Sequence, residues 1–147
     1  MNRWLVVAGV IVCGALVLRA QQPAPASAQL LYTEAQAKRG QVFYQDFCEA
    51  CHGPALAGDT AAPLVGPKFE ELWIGKTYGD LFEKIRVTMP PDAPGTITRP
   101  QIAAIIGYKL SLDRFPAGQT DLTTDISVLR TIPIAPVTLE RRTPKER

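Results

Sequence analysis

The spacing of apolar residues predicts a first helix that begins just after residue 33. Thr33-x-x-Gln36 has the form of a capping box, in which each side chain bonds the backbone N–H of the other residue. Four further residues, spaced i, i+3, i+4 and i+7, share one face of that helix. They are Gly40, Phe43, Tyr44 and Phe47. A glycine inside a helix costs about 1 kcal/mol relative to alanine, so we expect another helix to approach closely at Gly40.

A second helix is predicted from about Tyr78 to Val87. Its apolar residues fall on one side and its charged residues on the other. The apolar side consists of Leu81, Phe82 and Ile85, and the charged side of Asp80, Glu83, Lys84 and Arg86. The helix must stop near Thr88, because Pro90 disfavours helical geometry at Met89.

A third helix is predicted to open at Thr98, where Thr98-x-x-Gln101 forms another capping box and Pro100 occupies the first turn. Its inward face is apolar and consists of Ile102, Ile105, Ile106, Tyr108 and Leu110. Between the first and second helices, residues 53–76 are rich in Gly, Pro and Ala and are predicted to form a long loop. No stretch shows the alternation typical of a strand. We therefore predict an all-α fold of about three core helices and long loops.

The start of the chain has the three parts of an export signal. Arg3 supplies a positive charge, residues 5–18 form an apolar run, and Ala26-Ser27-Ala28 offers a cleavage site. A membrane span needs about 20 apolar residues. We therefore predict that residues 1–28 are a cleaved signal peptide and that the protein is periplasmic, with a retained N-terminal anchor as the alternative.

The remaining chain divides into three predicted zones. Residues 29–113 form the domain, residues 114–139 a Pro- and Thr-rich extension, and residues 140–147 a charged, disordered tail. The composition, 46% hydrophobic and 20% charged, excludes wholesale disorder and a polytopic membrane protein. The formal net charge of +2 comes from the leader, because cleavage would remove Arg3 and Arg19 and no acidic residue. A neutral mature protein is not suited to nucleic acid, which favours a strongly basic face.

The segment Cys48-Glu49-Ala50-Cys51-His52 is the C-x-x-C-H signature of covalent haem attachment. The two thiols would add to the haem vinyl groups, and His52 would bind one face of the iron. His52 is the only histidine in the chain. Cys13 lies in the apolar run of the leader and is predicted to have no role.

Two readings of the same cysteines without haem are weaker. A structural zinc site needs four ligands, and the adjacent Cys51 and His52 do not readily bind one tetrahedral ion. A thioredoxin-like redox protein would need a βαβ context, which the sequence lacks.

Met89 is the candidate for the opposite face of the iron. It is the only methionine after the leader, and Pro90 and Pro91 stiffen the segment that follows it. A thioether is a soft, neutral donor, and His/Met ligation raises the reduction potential of haem. The alternative is that Met89 only fills a gap in the core. With haem at the cysteine motif, we predict that Met89 is the second axial ligand.

Three further residues are candidate haem neighbours. A ligating imidazole usually donates its other N–H to a carbonyl or carboxylate, and Pro67, in the turn Gly66-Pro67, could supply that carbonyl or belong to an ordinary turn. Trp73 and Tyr78 carry donors that could reach a haem propionate, or could simply pack against the haem edge.

These motifs together resemble a class I c-type cytochrome of the small bacterial kind, over about residues 33–112. They follow that family's order: a helix with Gly40, Cys48-x-x-Cys51-His52-Gly53, Gly66-Pro67, a helix ending at Met89-Pro90, and a last helix with Tyr108. The resemblance implies a cytochrome c fold around one covalent haem c. It implies that the first and last helices cross, with Gly40 against Tyr108, and that the Pro67 carbonyl accepts from the imidazole.

The leading functional hypothesis is a periplasmic electron carrier, not itself an enzyme. It would exchange single electrons with redox proteins such as a periplasmic dehydrogenase or a terminal oxidase. The sequence supplies two iron ligands and no evident catalytic constellation. The alternative is a haem sensor or haem enzyme whose sixth iron position is open, which would require Met89 not to bind.

The extension carries a second, shorter resemblance. Phe115-Pro116-Ala117-Gly118 followed by Leu129, Ile132 and Ile134 resembles cytochrome components that accompany periplasmic quinoprotein dehydrogenases. One expectation is therefore that the protein is an acceptor or subunit of such a dehydrogenase. The other is that the extension wraps around its own domain.

Overall fold

The computed structural model describes residues 31–136. The predicted leader with Cys13, the last residues of the extension and the charged tail lie outside this range. The expectations about them therefore stay predictions.

Residues 31–136 fold into six α-helices and one 3-10 turn, Pro54–Leu56, without a β-strand. The helices are α1 (Glu34–Phe47), α2 (Glu49–His52), α3 (Gly66–Trp73), α4 (Tyr78–Thr88), α5 (Arg99–Leu112) and α6 (Ile126–Leu129). Thr77 and Pro133 form an isolated antiparallel bridge. The predicted all-α class is confirmed.

Helix α1 begins where the sequence predicts, but only half of its capping box forms. The Thr33 hydroxyl accepts from the Gln36 backbone N–H at 3.0 Å. The Gln36 side chain instead turns to Leu122, donating to its carbonyl at 3.0 Å and accepting from its N–H at 2.6 Å. The predicted second half of the box is therefore wrong, because a distant main-chain segment binds the glutamine amide in both directions.

Helices α1 and α5 form the most extensive helix contact among the described residues. A Cβ atom on Gly40 would lie 1.8 Å from the Ala104 carbonyl oxygen, so the close approach expected at Gly40 is confirmed. The nearest atoms to Gly40 belong to Ala104 and Ile105, and the implied pairing of Gly40 with Tyr108 stays a prediction. Tyr108 lies one turn beyond Ala104 and packs on Tyr44, one turn beyond Gly40, with ring centroids 5.8 Å apart.

Helix α5 lies at the centre of the domain, and every residue from Ile102 to Leu110 is buried. The expected apolar face is buried, and so is the opposite face. Lys109 lies on the apolar face itself, four residues after Ile105 and three after Ile106. It forms an ion pair with Asp113, and its ammonium lies 3.9 Å from the centroid of the Phe69 ring. Burial lowers the pKa of Lys109.

Helix α4 keeps its predicted bounds to within one residue. Thr77 and Asp80 form a capping box at its start: the Thr77 hydroxyl accepts from the Asp80 N–H at 3.2 Å, and the Asp80 carboxylate accepts from the Thr77 N–H at 2.9 Å. Hydrogen bonds from Thr77 lower the pKa of Asp80. The helix ends at Thr88, as the prolines that follow require.

The prediction of a continuous loop over residues 53–76 is wrong, because residues 66–73 form helix α3. Pro67 occupies the first turn of this helix, where its missing N–H costs nothing. The helix has a narrow buried face, with Phe69 buried and Leu72 57% exposed. Gly66 and Pro67 begin a helix here, although glycine and proline are also typical of loops.

Residues 114–136, which we call the strap, lie along the helical domain. The buried residues of the strap include Leu122, Leu129 and Ile134. At its start the Tyr32 hydroxyl donates to the Phe115 carbonyl at 2.7 Å, and near its end α6 packs against α4. These residues therefore wrap their own domain, which is the second of the two expectations.

None of the helices in the described part of the chain has the length and apolar character needed to cross a membrane.

Candidate functional site

The cysteine motif forms a helical turn of its own directly after α1. The Cys48 N–H donates to the Tyr44 carbonyl at 2.8 Å, which continues the hydrogen bonding of α1. The Cys51 and His52 N–H groups then both donate to the Cys48 carbonyl, at 3.1 and 2.9 Å. Cys48 is the N-cap of α2, and Cys51 lies three residues further on, within the same turn. Residues three apart in a helical turn are neighbours on one face.

The two thiols differ in exposure. Both are free thiols, with Cys48 half-buried and Cys51 exposed. Burial, and secondarily the neighbouring Cys51, raises the pKa of the Cys48 thiol to about 11. The inner thiol is therefore neutral at physiological pH.

The His52 imidazole is oriented by a main-chain carbonyl. Its Nδ1 lies 2.7 Å from the carbonyl oxygen of Ala62. A carbonyl can only accept, so Nδ1 is the donor in this bond, and in the neutral imidazole Nε2 then keeps the lone pair that a metal requires. The expected hydrogen bond from the imidazole to a main-chain carbonyl is present, but the carbonyl belongs to Ala62.

The prediction that the Pro67 carbonyl accepts from His52 is therefore wrong in this structure. The loop folds back early: the Gly58 N–H donates to the His52 carbonyl at 2.7 Å and the Ala61 N–H to the Cys51 carbonyl at 2.9 Å. These bonds bring Ala62 to the imidazole. Pro67 is exposed in the first turn of α3.

Gly53 makes this early return possible. Its φ of +71° lies in the left-handed region, which disfavours other residues. A Cβ atom there would also lie 2.6 Å from the Gly58 carbonyl oxygen. The Tyr44 hydroxyl donates to the Gly53 carbonyl at 2.5 Å, which ties the loop to α1. Burial raises the pKa of Tyr44 to about 12.

Met89 lies just outside α4, as its C-cap. Its backbone is extended (φ −123°, ψ 145°), and its N–H donates to the Ile85 carbonyl at 3.0 Å. Met89 is half-buried. The predicted position at the end of a helix is confirmed, and its role as an iron ligand stays a prediction.

Trp73 takes part in a stacked cluster at the end of α3. Its ring stacks on Phe69 at 5.7 Å with an interplanar angle of 11°, and the Lys76 ammonium lies 4.9 Å from its centroid. The Lys76 ammonium also donates to the Leu72 carbonyl at 2.7 Å. Tyr78, the other predicted haem neighbour, is 2% exposed in the first turn of α4. Both expectations for Trp73 and Tyr78, a hydrogen bond to a haem propionate and packing against the haem edge, stay predictions.

The chemistry of these side chains fits a covalent haem c. Two free thiols share one helical turn, a fixed imidazole has a free Nε2, and a thioether lies at the end of α4. Several apolar residues near these donors are only partly buried although they pack on the core, as expected where a large apolar group completes the packing. They include Phe47, Leu64, Val65 and Ile85. Residues 31–136 contain no group of three or more His, Cys, Asp or Glu side chains placed to hold a bare metal ion.

Sequence reasoning missed Ala62 and the Tyr44 hydroxyl. One signal for Ala62 was present: Pro63 follows it, and a residue before proline favours an extended backbone with its carbonyl free of a helix. The hydrogen bond from the Tyr44 hydroxyl to the Gly53 carbonyl had no local signal in the sequence, because the apolar stripe of α1 already accounts for an aromatic residue at this position.

One family model matches the chain over residues 35–108, which is half its length. It is described as cytochrome c oxidase, cbb3-type, subunit III. The match spans the cysteine motif, Met89 and most of α5. No curated protein and no solved structure matches the chain.

Proposed function

Since the chain belongs to the c-type cytochrome domain family represented by that match, we propose that it is an exported carrier of single electrons with one His/Met-ligated haem c. Membership of this family establishes haem-based electron transfer as its general activity. The proposal adds the ligands, the number of haems and the compartment.

The observation that carries the proposal is the orientation of His52. Its Nδ1 proton is committed to the Ala62 carbonyl, so Nε2 is the nitrogen available to iron. The same chain has no second histidine. A second protein ligand must therefore be of another type, and Met89 is the only thioether after the predicted leader.

The four residues have separate roles. Cys48 and Cys51 attach haem to the chain, and the Ala62 carbonyl keeps the His52 imidazole in one tautomer. When bound, haem supplies an iron that alternates between the ferrous and ferric states. Met89 favours the ferrous state, because its sulfur is a soft, neutral donor. Held by both His52 and Met89, haem would have no open position for a substrate, which would suit electron transfer and not catalysis at the metal.

The leader pattern supports export, and the family supports redox proteins as partners. Residues 1–28 have the pattern of a signal peptide, and two cysteines in an oxidising compartment are protected from disulfide formation once they are thioethers. The matched family model is described as an oxidase subunit. We propose that its partners are periplasmic redox proteins, either a terminal oxidase or a dehydrogenase. The protein would serve them as a separate carrier or as an electron-transfer subunit.

A two-part experiment on the exported, matured protein tests the proposal. A haem stain on a denaturing gel detects only covalent haem, and mass spectrometry of the same sample gives the number of haems and the mature N-terminus. We expect one haem per chain and cleavage after residue 28. A colourless matured protein, or two haems, would contradict the assignment.

Carbon monoxide separates the carrier from a haem sensor or enzyme. The reduced protein at neutral pH is expected to bind it slowly or not at all, because Met89 occupies the sixth position. Rapid binding by the intact protein would instead support the open-site alternative.

A further inference from the structure

We propose that the strap positions α4 and thereby keeps the Met89 thioether on the iron, an inference that rests on the ligation proposed above. The strap would then be part of the electron-transfer site although it supplies none of the ligands.

One end of the strap is fastened to the start of α4. The Tyr78 N–H, one of the first N–H groups of the helix, donates to the Ile132 carbonyl at 3.0 Å. The Ile134 N–H donates to the Lys76 carbonyl at 2.8 Å, and Thr77 bridges Pro133 between them. A helix leaves its first N–H groups without partners inside the helix. The strap therefore satisfies one of these groups in α4 and fixes where the helix begins.

Close packing reinforces this attachment. Leu129 of α6 has no exposed surface. A Cβ atom on Gly79 would lie 2.5 Å from the Arg130 side chain and 2.8 Å from the Arg130 backbone nitrogen. The strap backbone therefore lies directly against the first turn of α4, with no room for a larger residue between them.

Arg99 joins the strap, α4 and α5 at one point. Its guanidinium donates to the Thr124 carbonyl at 2.5 Å. The same guanidinium lies 5.2 Å from the centroid of the Phe82 ring, and Phe82 is fully buried in α4. The first half of α4 is thus enclosed by α5 and the strap together.

The other end of the strap is fastened to α1, the helix that leads into the cysteine motif. The buried Gln36 amide holds the Leu122 main chain through two hydrogen bonds, and Tyr32 holds Phe115 and Gly118 through two more. The strap therefore connects the helix that precedes the thioether attachment sites with the helix that ends at Met89.

Met89 depends on this connection because α4 acts as a rigid lever. A helix of 11 residues is about 16 Å long. A tilt of a few degrees at its fastened start would move its far end by about 1 Å. After Met89 the chain makes only local bonds within residues 90–96, among them the Ala93 N–H to the Pro90 carbonyl at 3.0 Å. The position of the sulfur is therefore set largely by the seating of α4.

The test uses Leu129→Ala with its neighbour Val128→Ala as a matched control. Val128 belongs to the same short helix but is 45% exposed. Two measurements on the haem-loaded proteins report the sulfur–iron bond. One is the temperature at which the oxidised protein loses the absorption band specific to a thioether on iron, compared with the temperature of unfolding by circular dichroism. The other is the rate at which the reduced protein binds carbon monoxide.

We expect Leu129→Ala to widen the gap between the two temperatures and to speed carbon monoxide binding by about tenfold or more. Val128→Ala should behave as the wild type, and covalent haem should be retained in both. Leu110→Ala removes an equally buried leucine from α5; it should lower the unfolding temperature without the same widening. If Leu129→Ala does not fold, Leu129→Val gives the same test with a smaller loss of contact.

Two results would overturn the proposal, and they are distinguishable. If the wild type shows the thioether band and Leu129→Ala matches either Val128→Ala or Leu110→Ala in both measurements, the strap has no positioning role and the proposed ligation stands. If the wild type itself lacks the band, the ligation by Met89 fails and the role of the strap fails with it.

Discussion

Residues 48–62, which carry His52, are held by hydrogen bonds within the segment itself, whereas Met89 is held from outside by the seating of α4. On the imidazole side, the turns of the motif, the return of the loop and the His52–Ala62 bond all close within fifteen residues or fewer of chain. The Tyr44 hydroxyl adds one bond from α1 to the Gly53 carbonyl.

The thioether side is built over a much longer stretch of chain. Met89 caps α4, and the start of α4 is fastened to Ile132 and Ile134 of the strap. The strap in turn is fastened to α1 by Gln36, a bond between residues 86 positions apart.

The difference separates two requirements of an electron carrier. The segment that carries His52 is organised by local hydrogen bonds. The position of Met89 depends on tertiary packing. If Met89 is the iron ligand that we propose, changes in the strap or α4 should affect the reduction potential before changes elsewhere do.

The largest expected effect is on the imidazole side, at Gly53. Gly53→Ala would place a Cβ atom 2.6 Å from the Gly58 carbonyl oxygen at a φ of +71°. We expect it to lower the free energy of unfolding by about 3 kcal/mol, because strain and overlap act together. Urea denaturation of the haem-loaded protein measures this change.

Gly66→Ala is the matched control for Gly53→Ala. Its φ is +76°, but a Cβ atom there would meet nothing within 4 Å. It should therefore cost only about 1 kcal/mol, the strain of the left-handed backbone alone. Equal losses in the two variants would show that the tight return of the loop at Gly58 is not a constraint.

The next largest effect is expected at Met89, where the reduction potential should change. Met89→Ala should leave haem attached, lower the reduction potential by on the order of 100 mV, and open the sixth position to carbon monoxide. Potentiometric titration followed optically measures the shift. Val87→Ala, an exposed position near the end of the same helix, should change neither property. An unchanged potential and spectrum in Met89→Ala would remove Met89 from the ligand set.

The parts of this molecule that were predicted correctly carry their signals within a few residues of sequence. Thr33 and Thr98 mark the starts of α1 and α5, Pro90 marks the end of α4, and the cysteine motif is contiguous. Gly40 indicated a close helix approach because a glycine within an apolar stripe needs a packing reason.

The parts that were missed depend on partners far along the chain or on context. Gln36 fits a capping box locally, yet its partner is Leu122 in the strap. The carbonyl that orients His52 was assigned to Pro67, because a proline-fixed turn is visible in sequence, whereas the early return of the loop to Ala62 is not. Helix α3 was missed because Gly66 and Pro67 serve equally as loop residues and as a helix start.

The smallest expected effects come from removing one buried tyrosine hydroxyl near His52 and one at the strap. Tyr44→Phe removes the bond to the Gly53 carbonyl on the imidazole side, and Tyr32→Phe removes the bond to the Phe115 carbonyl at the strap. Each should lower the free energy of unfolding by about 1 kcal/mol at neutral pH. Only Tyr32→Phe should speed carbon monoxide binding, because only the strap acts on Met89; faster binding in Tyr44→Phe would contradict the separation of the two sides.

The pH dependence of Tyr44→Phe gives an independent check. Burial raises the pKa of Tyr44 from 10.0 to about 12, so the folded state favours the protonated hydroxyl. This contribution to stability is fully present below pH 10 and is lost as the pH rises from 10 towards 12. The wild type should therefore lose stability over that window more steeply than Tyr44→Phe, and urea midpoints measured across it should converge. Parallel curves would show that the Tyr44 hydroxyl is not held protonated by its burial between α1 and the haem-attachment loop.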